Sequence, residues 1–363
     1  MNTLHHVSRT VNRLKTGLIS QNVPNELIYF VTNVCNFRCK HCFNRNLDSD
    51  MDDLRLEEIE KILFSIKSKK ILNLLISGGE PFIRDDLVDI ISLFVTYCDT
   101  SKIVIPTNGY LTDKIVAMVK EMSRKHSKVS FRINISLDGM PGYHNSIRGN
   151  ERSFENSINT IKQIQALNMP NVEASTICTI TNDNLHSILD FQEYLNKMNI
   201  EVTYNIGRTN LAMVTLQDGK YIRSPYVNNQ TPEGNGIFPD KEPFIDLVNS
   251  LYQLKKRQNF FRKLEDKVVV KGLLMGNEFF HGGRIKFECP AGKRVGVIYA
   301  NGDVALCENY KVVGNLRSSN YDFVKVWTGE VAEEQRQSVP RCTCAHPCFI
   351  HPSLMRRFWG VVL

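Results

Sequence analysis

Leu27-Ile28-Tyr29-Phe30-Val31, followed after three residues by Cys35-Asn36-Phe37-Arg38-Cys39-Lys40-His41-Cys42, decides how the chain is read. The first run is apolar throughout and reads as a buried strand ending in a loop. The second places three cysteines in eight residues, three apart and then two. Soft thiolates are the ligands that iron–sulfur clusters prefer. A tight loop lets three of them converge on one metal cube, and the fourth iron, with no cysteine nearby, stays open to a small ligand. Zinc or a disulfide framework are the plainer readings, but structural zinc sites usually show two separated ligand pairs, and no second pair lies close by.

Outward from this stretch the chain repeats a strand-then-helix pattern. Leu56, Ile59, Ile62, Leu63 and Ile66 recur at helical spacing. The strand Ile71 to Ile76 runs into Ser77-Gly78-Gly79-Glu80-Pro81, where two glycines let a backbone edge approach a ligand with no Cβ in the way. A helix follows, ending at Cys98, read as a core thiol. A third strand, Lys102 to Pro106, ends in Thr107-Asn108-Gly109, with Thr112 read as an N-cap. A fourth, Val129 to Leu137, ends in Ser136-Leu137-Asp138-Gly139, whose hydroxyl and carboxylate suit ribose hydroxyls. His144 and Arg148 come next. A fifth strand, Val172 to Ile180, carries Cys178 near its end, and Asn182 or Asp183 caps the helix after it. A sixth spans Glu201 to Ile206. Cys178 is read either as a buried structural thiol or as a cavity-facing hydrogen-atom donor. Six such units, with every motif at a strand C-terminal end, predict a parallel α/β fold with its ligand site at that end, as in parallel α/β barrels. The stretch 209–285 carries no chemistry that the sequence discloses.

Five further cysteines lie near the C-terminus: Cys289, Cys307, Cys342, Cys344 and Cys348. Asn301-Gly302 between apolar runs is a hairpin signal, and such a hairpin brings Cys289 and Cys307 together. Clustered cysteines in a chain with no apolar export signal argue for metal rather than disulfides. Zinc competes with iron–sulfur as the occupant of these five.

The loop spacing, Gly78-Gly79-Glu80-Pro81 and the Ser136-to-Asp138 segment together resemble the radical S-adenosylmethionine (SAM) superfamily. The resemblance implies a (β/α)6 partial barrel and a 4Fe–4S cluster on Cys35, Cys39 and Cys42, with SAM on its open iron. It also implies reductive cleavage of SAM to a 5′-deoxyadenosyl radical that takes a hydrogen atom from substrate. By the same resemblance Gly78, Gly79, Glu80 and Pro81 line the methionine end of SAM, Asn108 belongs to the third-strand segment, Ser136 and Asp138 contact SAM, and Arg148 lies near its carboxylate. His41 stands where the family usually has an aromatic residue against adenine. The C-terminal cysteines, with Gly314-Asn315-Leu316 and Trp327, resemble the SPASM/twitch extension. That implies one auxiliary 4Fe–4S cluster, on Cys289, Cys307, Cys348 and one of Cys342 or Cys344.

The expected organisation is an N-terminal extension over 1–25, the barrel over 26–208, a connecting region over 209–285 and a small iron–sulfur domain over 286–363. The N-terminal extension is too short for the winged-helix peptide-recognition domain that often precedes such enzymes. The 363 residues carry 45 basic and 38 acidic side chains, net +7, with 42% hydrophobic and 23% charged residues. No nucleic-acid motif and no long apolar stretch appears, so a cytoplasmic enzyme is expected, with neither nucleic acid nor membrane as partner. The expected partners are a peptide or small-molecule substrate and an external one-electron reductant of flavodoxin or ferredoxin type. Substrate oxidation, crosslinking and epimerisation are all open. A non-catalytic electron-transfer or cluster-delivery protein is the rival reading, and a zinc-stabilised barrel a third.

Overall fold

In a computed structural model of the chain, residues 22–42, 52–67, 69–207, 214–217, 220–223, 239–254, 260–280, 289–308 and 310–339 are described. Cys342, Cys344 and Cys348, the connecting segments and the C-terminal Phe358-Trp359 lie outside them. The elements, in chain order, are β1 (Glu26–Phe30), α1 (Leu56–Ser65), β2 (Asn73–Ser77), α2 (Leu87–Cys98), β3 (Lys102–Thr107), α3 (Thr112–Lys125), β4 (Ser130–Ser136), α4 (Pro141–Arg148), α5 (Ser153–Ala166), β5 (Val172–Ile180), α6 (Ile188–Lys197) and β6 (Val202–Ile206). A hairpin of β7 (Val214–Gln217) and β8 (Lys220–Arg223) follows, then α7 (Lys241–Leu254) and α8 (Phe260–Phe280). The last elements are β9 (Val295–Ile298), β10 (Asp303–Ala305), β11 (Val312–Asn315), α9 (Phe323–Trp327) and α10 (Glu330–Ser338).

Strands β1 to β6 pair in sequence order, all parallel, as a barrel-type βα repeat requires. Alternation sorts the side chains. Phe131, Ile133 and Ile135 of β4 are buried in one large cluster with Ile115 and Val119 of α3 and Ile158 and Ile161 of α5. The intervening Ser130, Arg132, Asn134 and Ser136 are only half-buried and line the opposite, inner face. Cys98 is a fully buried thiol of the helix-facing core, as read from the sequence.

The C-terminal hairpin joins this same sheet. β9 pairs in parallel with β1, from Glu26 opposite Val295 to Tyr29 opposite Ile298, and β10 and β11 continue antiparallel beyond it. The sheet therefore has nine strands, ordered β11-β10-β9-β1-β2-β3-β4-β5-β6. Because β1 is internal, both its faces are apolar. Leu27 and Tyr29 enter the helix-facing core, while Ile28 and Phe30 enter a second cluster with Val295, Val297, Tyr299 and Cys307. This explains the unbroken apolar run from Leu27 to Val31.

Two caps differ from the sequence reading. Thr112 is the first residue of α3 rather than its cap, and its hydroxyl pairs with that of Thr160 at 2.7 Å. At the head of α6 the N-cap is Ser187, with no side-chain cap bond, rather than Asn182 or Asp183; a 3-10 turn over Leu185–Ser187 comes before it, entered from Asn184. Asn184 Oδ1 takes the Thr181 N–H at 2.8 Å, and its amide donates to the carbonyls of Asp138 and Thr179.

A buried ion pair ties the C-terminal hairpin region to α1. Arg317 donates to both oxygens of Glu58 at 2.8 and 3.0 Å, and the Tyr321 hydroxyl adds a third bond at 3.0 Å. The Arg55 N–H donates to the same carboxylate at 2.9 Å. These donors, Arg317 first, hold Glu58 down to about 2. No helix among the described residues is long and apolar enough to cross a membrane.

Arg317→Ala strands a carboxylate that is 4% exposed and is expected to lower unfolding free energy by about 1–3 kcal/mol, read by denaturant unfolding. The pH dependence has a defined sign. A depressed carboxylate contributes stability above its ordinary value, near 4.5, and loses it as pH falls toward 2. Melting temperature should therefore fall more steeply between those limits in the native chain than in Glu58→Gln.

Candidate functional site

The cysteine loop leaves the C-terminal end of β1 and is held by backbone rather than by side chains. Val31 N–H donates to the Ser77 carbonyl at 3.1 Å, Gly79 N–H to Thr32 at 2.8 Å and Glu80 N–H to Val34 at 2.9 Å. The Gly-Gly pair makes this possible. A Cβ on Gly78 would stand 2.2 Å from the Thr32 carbonyl oxygen, and one on Gly79 2.0 Å from that of Val34. Gly78 also has φ +122°, open only to glycine. The close approach these glycines permit is thus to the cysteine loop itself, which the sequence reading did not anticipate.

Glu80 extends the clamp to β3. Its carboxylate accepts from the Phe82 and Asn108 N–H groups at 3.2 and 2.7 Å and from the Thr107 hydroxyl at 2.8 Å. Burial pushes Glu80 up to about 7, against the pull of those three donors. Pro81 opens the short 3-10 turn that follows. Asn108 in turn donates from its side chain to Asn36 Oδ1 at 2.7 Å, inside the cysteine loop. Asn36 and Thr107 were not singled out from sequence. Their signal was position alone, one between two cysteines and one at a strand end.

The far side of the loop meets α4. Lys40 N–H donates to the Ile147 carbonyl at 2.8 Å. Arg148 donates from Nε to Asp138 Oδ2 at 2.7 Å and from Nη1 to Cys39 Sγ at 3.7 Å. Asp138 Oδ1 accepts the Thr179 N–H at 3.1 Å. Burial opposes a charge on Asp138, but the Arg148 guanidinium outweighs it and holds the carboxyl near 2. Both Asp138 oxygens are therefore engaged within the protein, and its side chain is 1% exposed. His144 accepts the Asp138 N–H at Nδ1, 3.1 Å away, which leaves the proton on Nε2, beside Ser153 Oγ at 2.9 Å. Burial keeps His144 neutral, near 3, and His41 near 4. Their 3.9 and 3.8 Å approaches to Asp138 are thus not ion pairs at neutral pH.

Cys178 takes the structural side of its two readings. It is fully buried, in the same cluster as Phe191 and Leu195 of α6, and lies opposite Tyr204, whose hydroxyl bonds Gln192. Burial pushes its thiol well above the ordinary value. The row Ser175, Ile177 and Thr179, one residue out of phase, belongs to the inner face. Ser136 stands on that face at the end of β4.

The fit of this place to a thiolate-bound cluster and its small ligand rests on donor chemistry. Among the described residues no three His, Cys, Asp or Glu side chains are gathered closely enough to hold an ion as they stand. The loop nonetheless brings three thiols to one sheet end, with the Phe37 N–H 3.4 Å from Cys35 Sγ and the Arg148 cation beside Cys39. His41 Nδ1 is buried there with no hydrogen-bond partner, a polar atom placed for a ligand. In the C-terminal module, Cys307 is buried in the second cluster and Cys289, half-buried, packs against it.

Comparison with known proteins agrees with this geometry. The family model described as the radical SAM superfamily matches residues 29–195, and the one described as an iron–sulfur cluster-binding domain, SPASM, matches residues 289–349. The chain belongs to the radical SAM superfamily. It is an enzyme of that superfamily, carrying a SPASM domain, with 4Fe–4S clusters and SAM as its cofactors. Over 95% of its length it is 24% identical to the mycofactocin maturase MftC of Mycolicibacterium smegmatis, covering 81% of that protein. It is also 31% identical to the GTP 3′,8-cyclase of Pasteurella multocida, over 36% of this chain and 42% of that one. Among solved structures, native anSMEcpe with bound AdoMet superposes with a TM-score of 0.61 at 16% identity, covering 85% of this chain and 82% of that one. Streptococcus suis SuiB bound to S-adenosylmethionine gives 0.59 at 16% identity, covering 93% and 72%. These two likenesses concern the radical SAM fold.

Gly79→Ala forces the loop off β2 and is expected to lower stability by about 2 kcal/mol or more and to reduce iron bound after reconstitution by over half. Gly142→Ala is the control. Its Cβ meets nothing within 4 Å, at the second position of α4, so stability should hold or rise by up to about 1 kcal/mol. Thermal unfolding and iron analysis of the two variants check both.

Proposed function

We propose that this chain is a radical SAM maturase that modifies a peptide. The observation that carries this reading is the likeness to MftC, a maturase by name, along 95% of this chain and 81% of that one. The fold it shares with SuiB, a protein also solved bound to its precursor peptide SuiA, supports it further. In this reading Cys35, Cys39 and Cys42 hold the radical-generating cluster. Cys289 and Cys307, with Cys348 and one of Cys342 or Cys344, hold an auxiliary one. The organisation follows the ranges 26–208 for the barrel and 286–363 for the auxiliary module, joined through 209–285.

Cluster and SAM together, when bound, supply a 5′-deoxyadenosyl radical. The protein's own residues do the placing. Gly78 and Gly79 press the cysteine loop onto β2, while Glu80 and Asn108 lock it to β3. Arg148 sets positive charge beside Cys39 and lies where a carboxylate of SAM can be met, with Asp138 fixing its orientation. His41 offers an unpaired ring nitrogen and a flat face to adenine, and Ser136 a hydroxyl to the inner face. The second cluster seals the β1 and β9 side of that face against water. An external one-electron reductant of flavodoxin or ferredoxin type delivers the electron.

Anaerobic reconstitution tests the assignment. About eight irons per chain are expected, and SAM with dithionite should yield 5′-deoxyadenosine. Replacing Cys35, Cys39 and Cys42 by Ala should remove about four irons and all of that product. Cys289→Ala with Cys307→Ala should remove about four irons and keep the product. Well-loaded enzyme that makes none, with candidate peptides present, defeats the proposal.

A further inference from the structure

One row of side chains crosses the inner face of the sheet and changes character halfway. Register pairs Val297 with Ile28, Ile28 with Leu75, Leu75 with Val104, Val104 with Arg132, and Arg132 with Glu173. The first four are apolar, and Val297 and Ile28 are buried in the second cluster. The last two are charged, with side chains 36% and 39% exposed. Above them Asn134 lies opposite Ser175, whose hydroxyl donates to it at 2.7 Å. The row is thus apolar from β9 through β3, where the C-terminal module packs on its β1 end, and polar on β4 and β5.

A cross-strand ion pair on an open surface is ordinary and weak. The pairing of Arg132 is unusual in what it leaves unused. Both Glu173 oxygens accept from the single nitrogen Nη2, at 3.1 and 3.0 Å, rather than from a two-nitrogen fork. Nε is buried and has no hydrogen-bond partner among the described residues. A guanidinium recognises a carboxylate best through two parallel N–H groups. Glu173 thus engages one of the three guanidinium nitrogens, and Nη1 makes no bond among the described residues and remains for a second acceptor. Arg132 lies four residues before the end of β4, about 13 Å below the rim where the cysteine loop sits.

We propose that Arg132 is a specificity-determining residue, taking a carboxylate of the peptide substrate while Glu173 holds the guanidinium in place. This rests on the peptide reading above. The anchor depth of about 13 Å corresponds to about four extended residues, so the recognised carboxylate lies within that distance of the residue modified. It belongs to an acidic side chain or to the peptide's C-terminus.

The test is retention from a defined pool. Reconstituted full-length enzyme with SAM is equilibrated anaerobically with three sets of N-acetylated synthetic hexapeptides. One set has a free C-terminal carboxylate and no acidic side chain, one is amidated and contains Glu, and one is amidated with Gln in its place. Mass spectrometry counts what is retained. At least one carboxylate set should exceed the Gln set by about tenfold, the equivalent of one charged hydrogen bond; the set retained identifies the source. Arg132→Gln should abolish the preference. Glu173→Gln, which removes the competing anion, should increase it, a change no purely structural role for the pair predicts. If Arg132→Gln does not fold, Arg132→Lys should weaken the preference by losing the fork. Equal retention of all three sets, or a preference unchanged in the variants, overturns the role of Arg132 and leaves the peptide reading standing. Retention of none overturns the peptide reading. Arg132 is then judged by phenylglyoxal modification: protection of that residue by N-acetylglycine upholds carboxylate recognition, and absence of protection ends it.

Discussion

The contact on which the rest of the site depends is a backbone one. The carbonyls of Thr32 and Val34 come so near the chain at Gly78 and Gly79 that no Cβ fits between them. That approach converts two neighbouring strand ends into a continuous ledge. A loop of three cysteines on its own would sample many shapes, at a cost of about 1–2 kcal/mol per residue to order. Here the ordering is done by the N–H groups of Gly79 and Glu80, just past the end of β2, and by the Glu80 carboxylate reaching to the end of β3. Ligand thiols are thereby tied to the stiffest part of the molecule, the interior of a parallel sheet.

The charges around the loop follow from burial. His41 and His144 each stand within 4 Å of Asp138, and the Arg148 guanidinium, 2.7 Å from the same carboxylate, decides their states. The carboxylate keeps its charge because the guanidinium is close, and both imidazoles stay neutral because protonation would have to occur away from water. One ion pair with two neutral rings is a stable assignment across the physiological range. It also leaves positive charge on the side of Cys39 and of any carboxylate bound beside it.

Much of this was legible in the sequence. The six strands were readable because each combines an apolar run or clean alternation with a turn signal after it, and Val172 to Ile180 was bounded to the residue. The cysteine loop, the Gly-Gly-Glu-Pro segment and the Asn301-Gly302 hairpin were readable because tight backbone geometry restricts residue type. Four things were not. The ledge role of Gly78 and Gly79 depends on which chain lies opposite, and local sequence does not encode that. The direction of Cys178 depends on strand phase, where one residue's shift exchanges core for cavity. The Glu58–Arg317 pair joins positions far apart in the chain, with no spacing rule between them. The union of the C-terminal hairpin with the barrel sheet was hidden for the same reason, although the unbroken apolar run of β1 was its trace.

That union bears on how the chain assembles. β1 is among the first strands to be made, yet one of its two neighbours, β9, comes from near the other end of the sequence. Pairing of such high contact order closes late and slowly. Until then β1 presents a bare, wholly apolar edge, the kind of surface on which growing chains stick to one another. The loop that β1 carries thus hangs from a sheet whose assembly waits on a strand from near the far end of the chain.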